Sequence, residues 1–304
     1  MPKIKNFSFI LSPATIGQLR DAWPVMRLVP DFIIKSSAGI MPPFKILRRR
    51  VRSISGSEID GYVIVCPLLG GQSGRPKDEF ILDKIISAGH IAERLRSKIL
   101  GLGGCGAVLS AQAYNKILAS LKIPLTSGNT LTAWSIVEAL YRAAKAKKIF
   151  LKESIVAIAG ANTCIGRLCA LKLPQFARQV ITDGQEQGFE KADIVINLSE
   201  PNEAPIDINN LKHRIIFCEL SPAGRLSEQA KSRGDITVIE AGLIKLPNGD
   251  IISAAMAEEI LLALEERFVN YSAADNINPD KLEEIADLAA RHGFEIYIPA
   301  APVG

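Results

Sequence analysis

Residues 160–166, Gly-Ala-Asn-Thr-Cys-Ile-Gly, carry the chemistry that most narrows what this chain can do. Before them stand five apolar residues, Ile155 to Ala159, and after them an apolar segment, Ile165 to Leu173, closed by Pro174. Such an order predicts a buried strand, a glycine turn and a helix. A helix N-terminus set there presents main-chain N–H groups and the positive end of a dipole, which suits a diphosphate. Gly160, Ala161, Asn162, Thr163, Cys164, Ile165 and Gly166 are therefore the candidate residues for holding the pyrophosphate of a dinucleotide. Their spacing departs from the usual G-x-G-x-x-G, because Thr163 stands where a glycine would lie three residues before Gly166. A strand-to-helix turn that binds nothing is the competing reading.

Other candidates follow the same logic. Asp183 stands at the end of a strand expected over Gln179 to Thr182, where an acidic side chain takes ribose hydroxyls and repels a 2′-phosphate, favouring NAD over NADP. Asp183 equally suits a turn before Gly184. Leu198 and Ser199, at the end of a strand from Ala192, and Gly242, after a strand over Thr237 to Glu240, would flank the nicotinamide side. Ser127-Gly128-Asn129-Thr130 opens a helix expected over Thr126 to Lys147. Asn129 and Thr130 could hydrogen-bond substrate or carboxamide, or, with Ser127, simply cap the helix.

The five cysteines, Cys66, Cys105, Cys164, Cys169 and Cys218, form no C-x-x-C pair, and the three histidines lie far apart. Neither a disulfide framework nor a metal site is expected. Cys105 lies in a second glycine-rich strand end, Ile99 to Leu109, whose glycines permit close approach to a ligand or make a tight packing corner.

These residues need elements to position them. Phe7 to Leu11 reads as a strand, Ala14 to Trp23 and Lys77 to Arg96 as helices, and Val51 to Cys66 as a hairpin with Asp60-Gly61 as its turn pair. Asp183 to Lys191 is too short for a helix–strand–helix, so one unit of the usual dinucleotide fold is expected to be missing. Arg214 to Cys218 reads as a further strand, Ser253 to Tyr271 as a helix, and a last helix runs from Asn278-Pro279-Asp280 to Gly293. The expected fold is α/β: a substrate domain over 1–128, a bridging helix over 129–150, a shortened Rossmann-type NAD(P)-binding domain over 151–250, and C-terminal helices over 251–304 packing back on the first domain.

Composition bounds the partners. In 304 residues, 48% are hydrophobic and the net charge is +4, as in a globular chain with no reason to bind nucleic acid. No apolar run approaches the roughly 18 residues of a membrane span, FSFIL is short for a signal sequence, and the expected location is cytoplasmic. Arg48, Arg49, Arg50 and Arg52 make a basic cluster. It reads either as a solvated strand edge kept from aggregating or as a landing patch for an acidic carrier protein. Homo-oligomerisation is left open.

Six separated segments carry a resemblance along nearly the whole chain: VRSISGSEIDGYVIVCPL, LGLGGCGAVL, TSGNTLTAW, VAIAGANTCIG, AMAEEILLALE and ARHGF. In order and spacing they resemble the cyanobacterial long-chain acyl-[acyl-carrier-protein] reductases and related amino acid dehydrogenases. That resemblance implies an NAD(P)-dependent oxidoreductase acting in an interdomain cleft. It also implies a cysteine that takes the acyl group as a thioester, and the position matching that cysteine is Ala255. A thioester route would then need another thiol, Cys105 or Cys164. Alternatively the chain binds an acyl carrier, acyl-CoA or nucleotide without turnover. The nucleotide domain is also similar to that of methylene-tetrahydrofolate dehydrogenases, which share a glycine-to-glycine turn without the middle glycine and a trimmed crossover, and which need no covalent nucleophile.

Overall fold

Alternating short apolar runs and amphipathic segments form two five-stranded sheets covered by helices, and a small three-stranded one. The computed structural model describes residues 6–13, 15–37, 40–68, 78–103, 111–182, 186–199, 206–220, 225–272 and 278–299. The chain divides into two units: Met1–Gly128 with Glu258–Asp275, and Asn129–Ala257 with Asn276–Gly304.

The first unit contains β1 (Asn6–Leu11), α1 (Ile16–Ala22), α2 (Asp31–Ser37), β2 (Phe44–Arg52), β3 (Glu58–Val65), α3 (Asp78–Arg94), β4 (Ile99–Gly101), α4 (Ala111–Ser120) and β5 (Leu125–Thr126). The sheet order is β2-β3-β1-β4-β5. Strand β2 runs antiparallel to β3, and the other pairs are parallel. Ile64 joins one core with Ile85, Leu100 and Ile117, while its neighbour Val65 joins another with Leu19 and Ile34. Consecutive strand residues thus serve opposite faces, as the pleat requires.

The hairpin forms, but Asp60 and Gly61 are not its turn. They lie inside β3, and the turn is Ser53 to Ser57, where the Ser53 N–H donates to the Ser57 carbonyl at 2.9 Å. Gly61 is small for a packing reason: a Cβ there would stand 2.1 Å from the Phe7 ring of the paired strand. Asp60 is 2% exposed and receives the guanidinium groups of Arg48 and Arg50.

The second unit holds α5 (Asn129–Ala146), β6 (Ile155–Ala159), α6 (Cys164–Lys172), β7 (Gln179–Ile181), β8 (Ile194–Asn197), β9 (Ile216–Leu220), α7 (Arg225–Arg233), β10 (Thr237–Ala241), β11 (Leu243–Lys245), β12 (Ile251–Ser253), the start of α8 (Ala254–Leu264), α9 (Asp280–His292) and β13 (Glu295–Tyr297). Five strands make an all-parallel sheet, β10-β9-β8-β6-β7. Strands β12, β11 and β13 make a small antiparallel sheet. Between β7 and β8 the described chain makes only a 3-10 turn, Glu186–Lys191, so the connection crosses to the far side of β6 without a further strand. The fold is thus a Rossmann-type α/β sheet with one strand fewer than the six-stranded form.

Two helix ends differ by three residues or more from the sequence reading. Residues 125–126 are strand, so α5 begins at Asn129 rather than Thr126. Helix α8 stops at Leu264 rather than continuing to Tyr271. Its end is closed by Glu266 in a left-handed conformation (φ 57°), with the Arg267 N–H donating to the Leu262 carbonyl at 2.8 Å. That is a glycine-type cap made by a residue that gives no glycine signal. Beyond it, Tyr271 donates to Leu125 and Ser127 donates to Ser272 along the edge of the first sheet. Of the C-terminal helices, α8 joins the first unit from Glu258 on, whereas α9 packs on α5 in the second.

Candidate functional site

Parallel strands β6 and β8 lie side by side and in register, so Ala159 and Asn197 end them together. The chain leaves β6 for β7 on one side and returns to β8 on the other. Such a switch leaves a crevice beyond the carboxyl ends of the strands, where ligands of open α/β sheets bind.

Gly160 caps β6 with φ +78°, and a Cβ on it would stand 2.5 Å from the Leu198 carbonyl and 2.7 Å from the Ser199 nitrogen. Only glycine lets the turn lie this close to the end of β8. Gly166 is equally constrained, since a Cβ there would stand 2.2 Å from the Gly160 carbonyl oxygen. The two glycines therefore fold the turn against β8 and α6 against the turn.

Thr163 is the N-cap of α6. Its hydroxyl accepts from the Gly166 N–H at 3.0 Å and donates to the Gly160 carbonyl at 2.8 Å, while its own N–H closes the turn on Gly160 at 3.1 Å. A glycine at position 163 would lack this cap. Ala161, Thr163 and Cys164 are half-buried, Asn162 is exposed at the apex, and Ile165 points into the core. Among the described residues the turn is thus filled below, and its apex is exposed. A dinucleotide fits this chain on that ground: its phosphates would meet residues 160–166, where the side chain at the apex is a short neutral amide.

Leu198 and Ser199 touch the turn, as the Gly160 distances require. Gly242 sits apart, at the end of β10 (φ +85°), where a Cβ would stand 3.0 Å from Leu220 at the end of β9. The structure therefore brings Gly160 to Gly166 together with Leu198 and Ser199 and sets Gly242 two strands away along the same edge. Asp183 and Cys105 lie outside the described residues.

Asn129 and Thr130 begin α5 and are each 4% exposed. Among the described residues, no acceptor reaches the buried Asn129 Nδ2. Leaving such a donor unmet costs about 1–3 kcal/mol. The Ser127 hydroxyl donates to the Ser272 carbonyl at 2.6 Å.

Sequence reasoning passed over a polar chain beside Ser199. Asn197 donates to Glu219 at 2.7 Å, and Glu219 accepts the Ser227 hydroxyl at 2.6 Å. The signal was present, since Asn197 and Glu219 are polar residues near the ends of otherwise apolar runs, INL and CEL.

The thiols divide by burial. Cys66, Cys169 and Cys218 are buried, and Cys164 is partly exposed at the first residue of α6. Burial pushes the Cys169 thiol up to about 12 and raises Cys218 further, which suits inert core residues. Among the described residues, no cluster of histidine, cysteine and carboxylate could hold a metal ion, and no helix is long and apolar enough to cross a membrane. In the basic cluster Arg48 and Arg50 both bond Asp60, and Arg52 lies 3.5 Å from Glu58.

Fold and turn together define a Rossmann-type α/β protein. No known family profile matches the chain. Among curated proteins it is 23% identical to the aminotransferase PigE of Serratia sp., over 98% of this chain and 40% of that protein. It is 26% identical to the long-chain acyl-[acyl-carrier-protein] reductase of Synechococcus elongatus, over 84% of this chain and 87% of that one. The chain thus spans well under half the length of the aminotransferase. Among solved structures, an NAD-dependent malic enzyme from Thermotoga maritima aligns with TM-score 0.44 and 15% identity, covering 95% of this chain and 84% of that one. The hetero-hexameric glutamate dehydrogenase of Thermus thermophilus aligns with TM-score 0.44 and 12% identity, covering 96% of this chain and 77% of that one.

Proposed function

We propose that the chain is an NAD(P)-dependent oxidoreductase that binds its dinucleotide at the carboxyl ends of β6 and β8. The observation that carries this reading is Gly160. It lies in a left-handed conformation at a topological switch point, with no space for a side chain and with an exposed apex at Asn162 beside it. When bound, the nicotinamide supplies or accepts a hydride. Gly160, Ala161, Asn162, Thr163, Cys164, Ile165 and Gly166 hold the diphosphate, Asp183 takes the adenosine ribose and favours NAD, and Leu198, Ser199 and Gly242 line the nicotinamide side.

Asn129 and Thr130 orient the substrate, a role supported by the buried Asn129 Nδ2, which no acceptor among the described residues reaches. The reductase relative's name supports an acyl thioester, with hydride passing directly and no acyl-enzyme at Ala255. An acidic carrier would meet β2, where Arg48, Arg49, Arg50 and Arg52 outnumber the carboxylates of Asp60 and Glu58.

Isothermal titration with NAD, NADH, NADP and NADPH tests the reading. Micromolar heat with one pair is expected, and no heat or thermal shift with any of the four ends it. Ala255 favours a second reading, ligand binding without turnover. Reduction of any acyl thioester by the purified chain would exclude it.

A further inference from the structure

The hydrogen-bond polarity at the end of β8 follows from one main-chain group. The Ser199 N–H can only donate, and it donates to the Asn197 side chain at 3.3 Å, so the Asn197 atom facing Ser199 is its oxygen. The amide nitrogen must then face Glu219, and it does so at 2.7 Å. The other Glu219 carboxyl oxygen accepts from Ser227, which is fully buried, and Asn197 itself is 5% exposed, so neither partner can turn over freely. The Ser199 hydroxyl lies 2.6 Å from the same Asn197 oxygen. Two oxygens at that distance share one proton, and an amide oxygen has none to give. The Ser199 proton is therefore committed to Asn197, and its lone pairs are what it presents on its partly exposed side.

We propose that Ser199 is a polarity filter of the nucleotide site, locked as an acceptor by Asn197, Glu219 and Ser227. It takes a neutral hydrogen-bond donor from the nicotinamide nucleoside, a ribose hydroxyl or a carboxamide N–H, and it repels a phosphate. The inference rests on the reading that a dinucleotide binds at this edge. It adds a direction, with the diphosphate over the turn at 160–166 and the donor-bearing nucleoside over β8. Phosphate oxygens carry no donor, so beside Ser199 they would face lone pairs with the Glu219 carboxylate behind them. Asn197, Glu219 and Ser227 are positioning residues that act through Ser199.

The test measures binding of NADH, ADP-ribose and ADP by titration calorimetry to the full chain, unsubstituted and as Ser199→Ala and Glu219→Ala. Loss of one neutral hydrogen bond is expected to weaken affinity about three- to tenfold. A loss shared by NADH and ADP-ribose, with ADP unchanged, identifies the ribose hydroxyl. A loss confined to NADH identifies the carboxamide. Glu219→Ala removes the acceptor behind Asn197 and should weaken the same ligands without touching ADP, which also serves if Ser199→Ala fails to fold. An equal loss for ADP, or no loss for any ligand in either variant, overturns the proposal. If the unsubstituted chain binds none of the three, the dinucleotide reading itself fails and this contact fails with it.

Discussion

Each unit has a sheet with parallel central strands whose chain departs to either side of its first strand, and the two crevices so formed are filled differently. In the first unit the crevice lies between β1 and β4. A side chain on Gly101 would stand 2.6 Å from a Glu259 carboxyl oxygen and 2.7 Å from the Phe9 ring, and one on Gly103 2.3 Å from the Ile10 carbonyl. Glu259 is fully buried and accepts the Gly101 N–H at 2.8 Å. Burial holds its carboxyl well above the usual carboxylate range. In the second unit the atoms against Gly160 are main chain from the end of β8, and the apex beside it is exposed. Topology makes a crevice in both; an acid brought by α8 plugs the first, and no described side chain plugs the second.

The largest effect should come from adding a methyl group where main chain cannot yield. Gly160→Ala combines left-handed strain with a contact on Leu198 and Ser199, and should cost about 3–4 kcal/mol in urea unfolding. Next comes the plug itself. A carboxyl raised on folding binds a proton that the unfolded chain releases, so its contribution is full below the unfolded value and lost as pH rises toward the folded one. Stability should fall by about 1.4 kcal/mol per pH unit over that interval. Glu259→Gln, which keeps an acceptor for Gly101, should flatten the fall in a series of thermal melts from acid to neutral pH.

Gly101→Ala meets side chains that can move, and about 1–2 kcal/mol is expected. Combining it with Glu259→Ala should cost less than the sum of the two. A Gly101→Ala cost equal to that of Gly160→Ala would erase the contrast between the crevices. The smallest effect belongs to Asp60→Asn, about 1 kcal/mol, because the arginines that hold Asp60 are half in water. Its pH sign is opposite. The Arg50 hydrogen bond holds the Asp60 carboxyl below its ordinary value, so this stability is present above the ordinary value and lost as pH falls through the folded one. Acid unfolding followed by circular dichroism should show Asp60→Asn less sensitive than the unsubstituted chain.

Much of the second unit was legible because its signals are local. Ile155 to Ala159 is the observed β6, and Gly293, with φ +73°, ends α9 as its type announces. The end of α8 was harder, because Glu266 takes the left-handed position where glycine is usual, as Arg96 and Lys148 do after α3 and α5. Gly61 was misread because the same residue type serves turns and close packing, and only the Phe7 ring across the sheet distinguishes them. Asp60 was misread with it, since an acid beside glycine looks like a turn until two arginines are found facing it.

What the sequence determined by itself was the strand–turn–helix at 155–172, the shortened link after it, and the alternation of strands and helices that makes an α/β chain. These follow from periodicity, glycine and proline, which act within a few residues. What the tertiary structure alone decided was which glycine corner is plugged, and which hydroxyl at the strand ends is bound to accept. Both depend on groups far apart in the chain, Gly101 with Glu259 and Ser199 with Glu219. No local pattern encodes contacts that exist only once the sheets have closed.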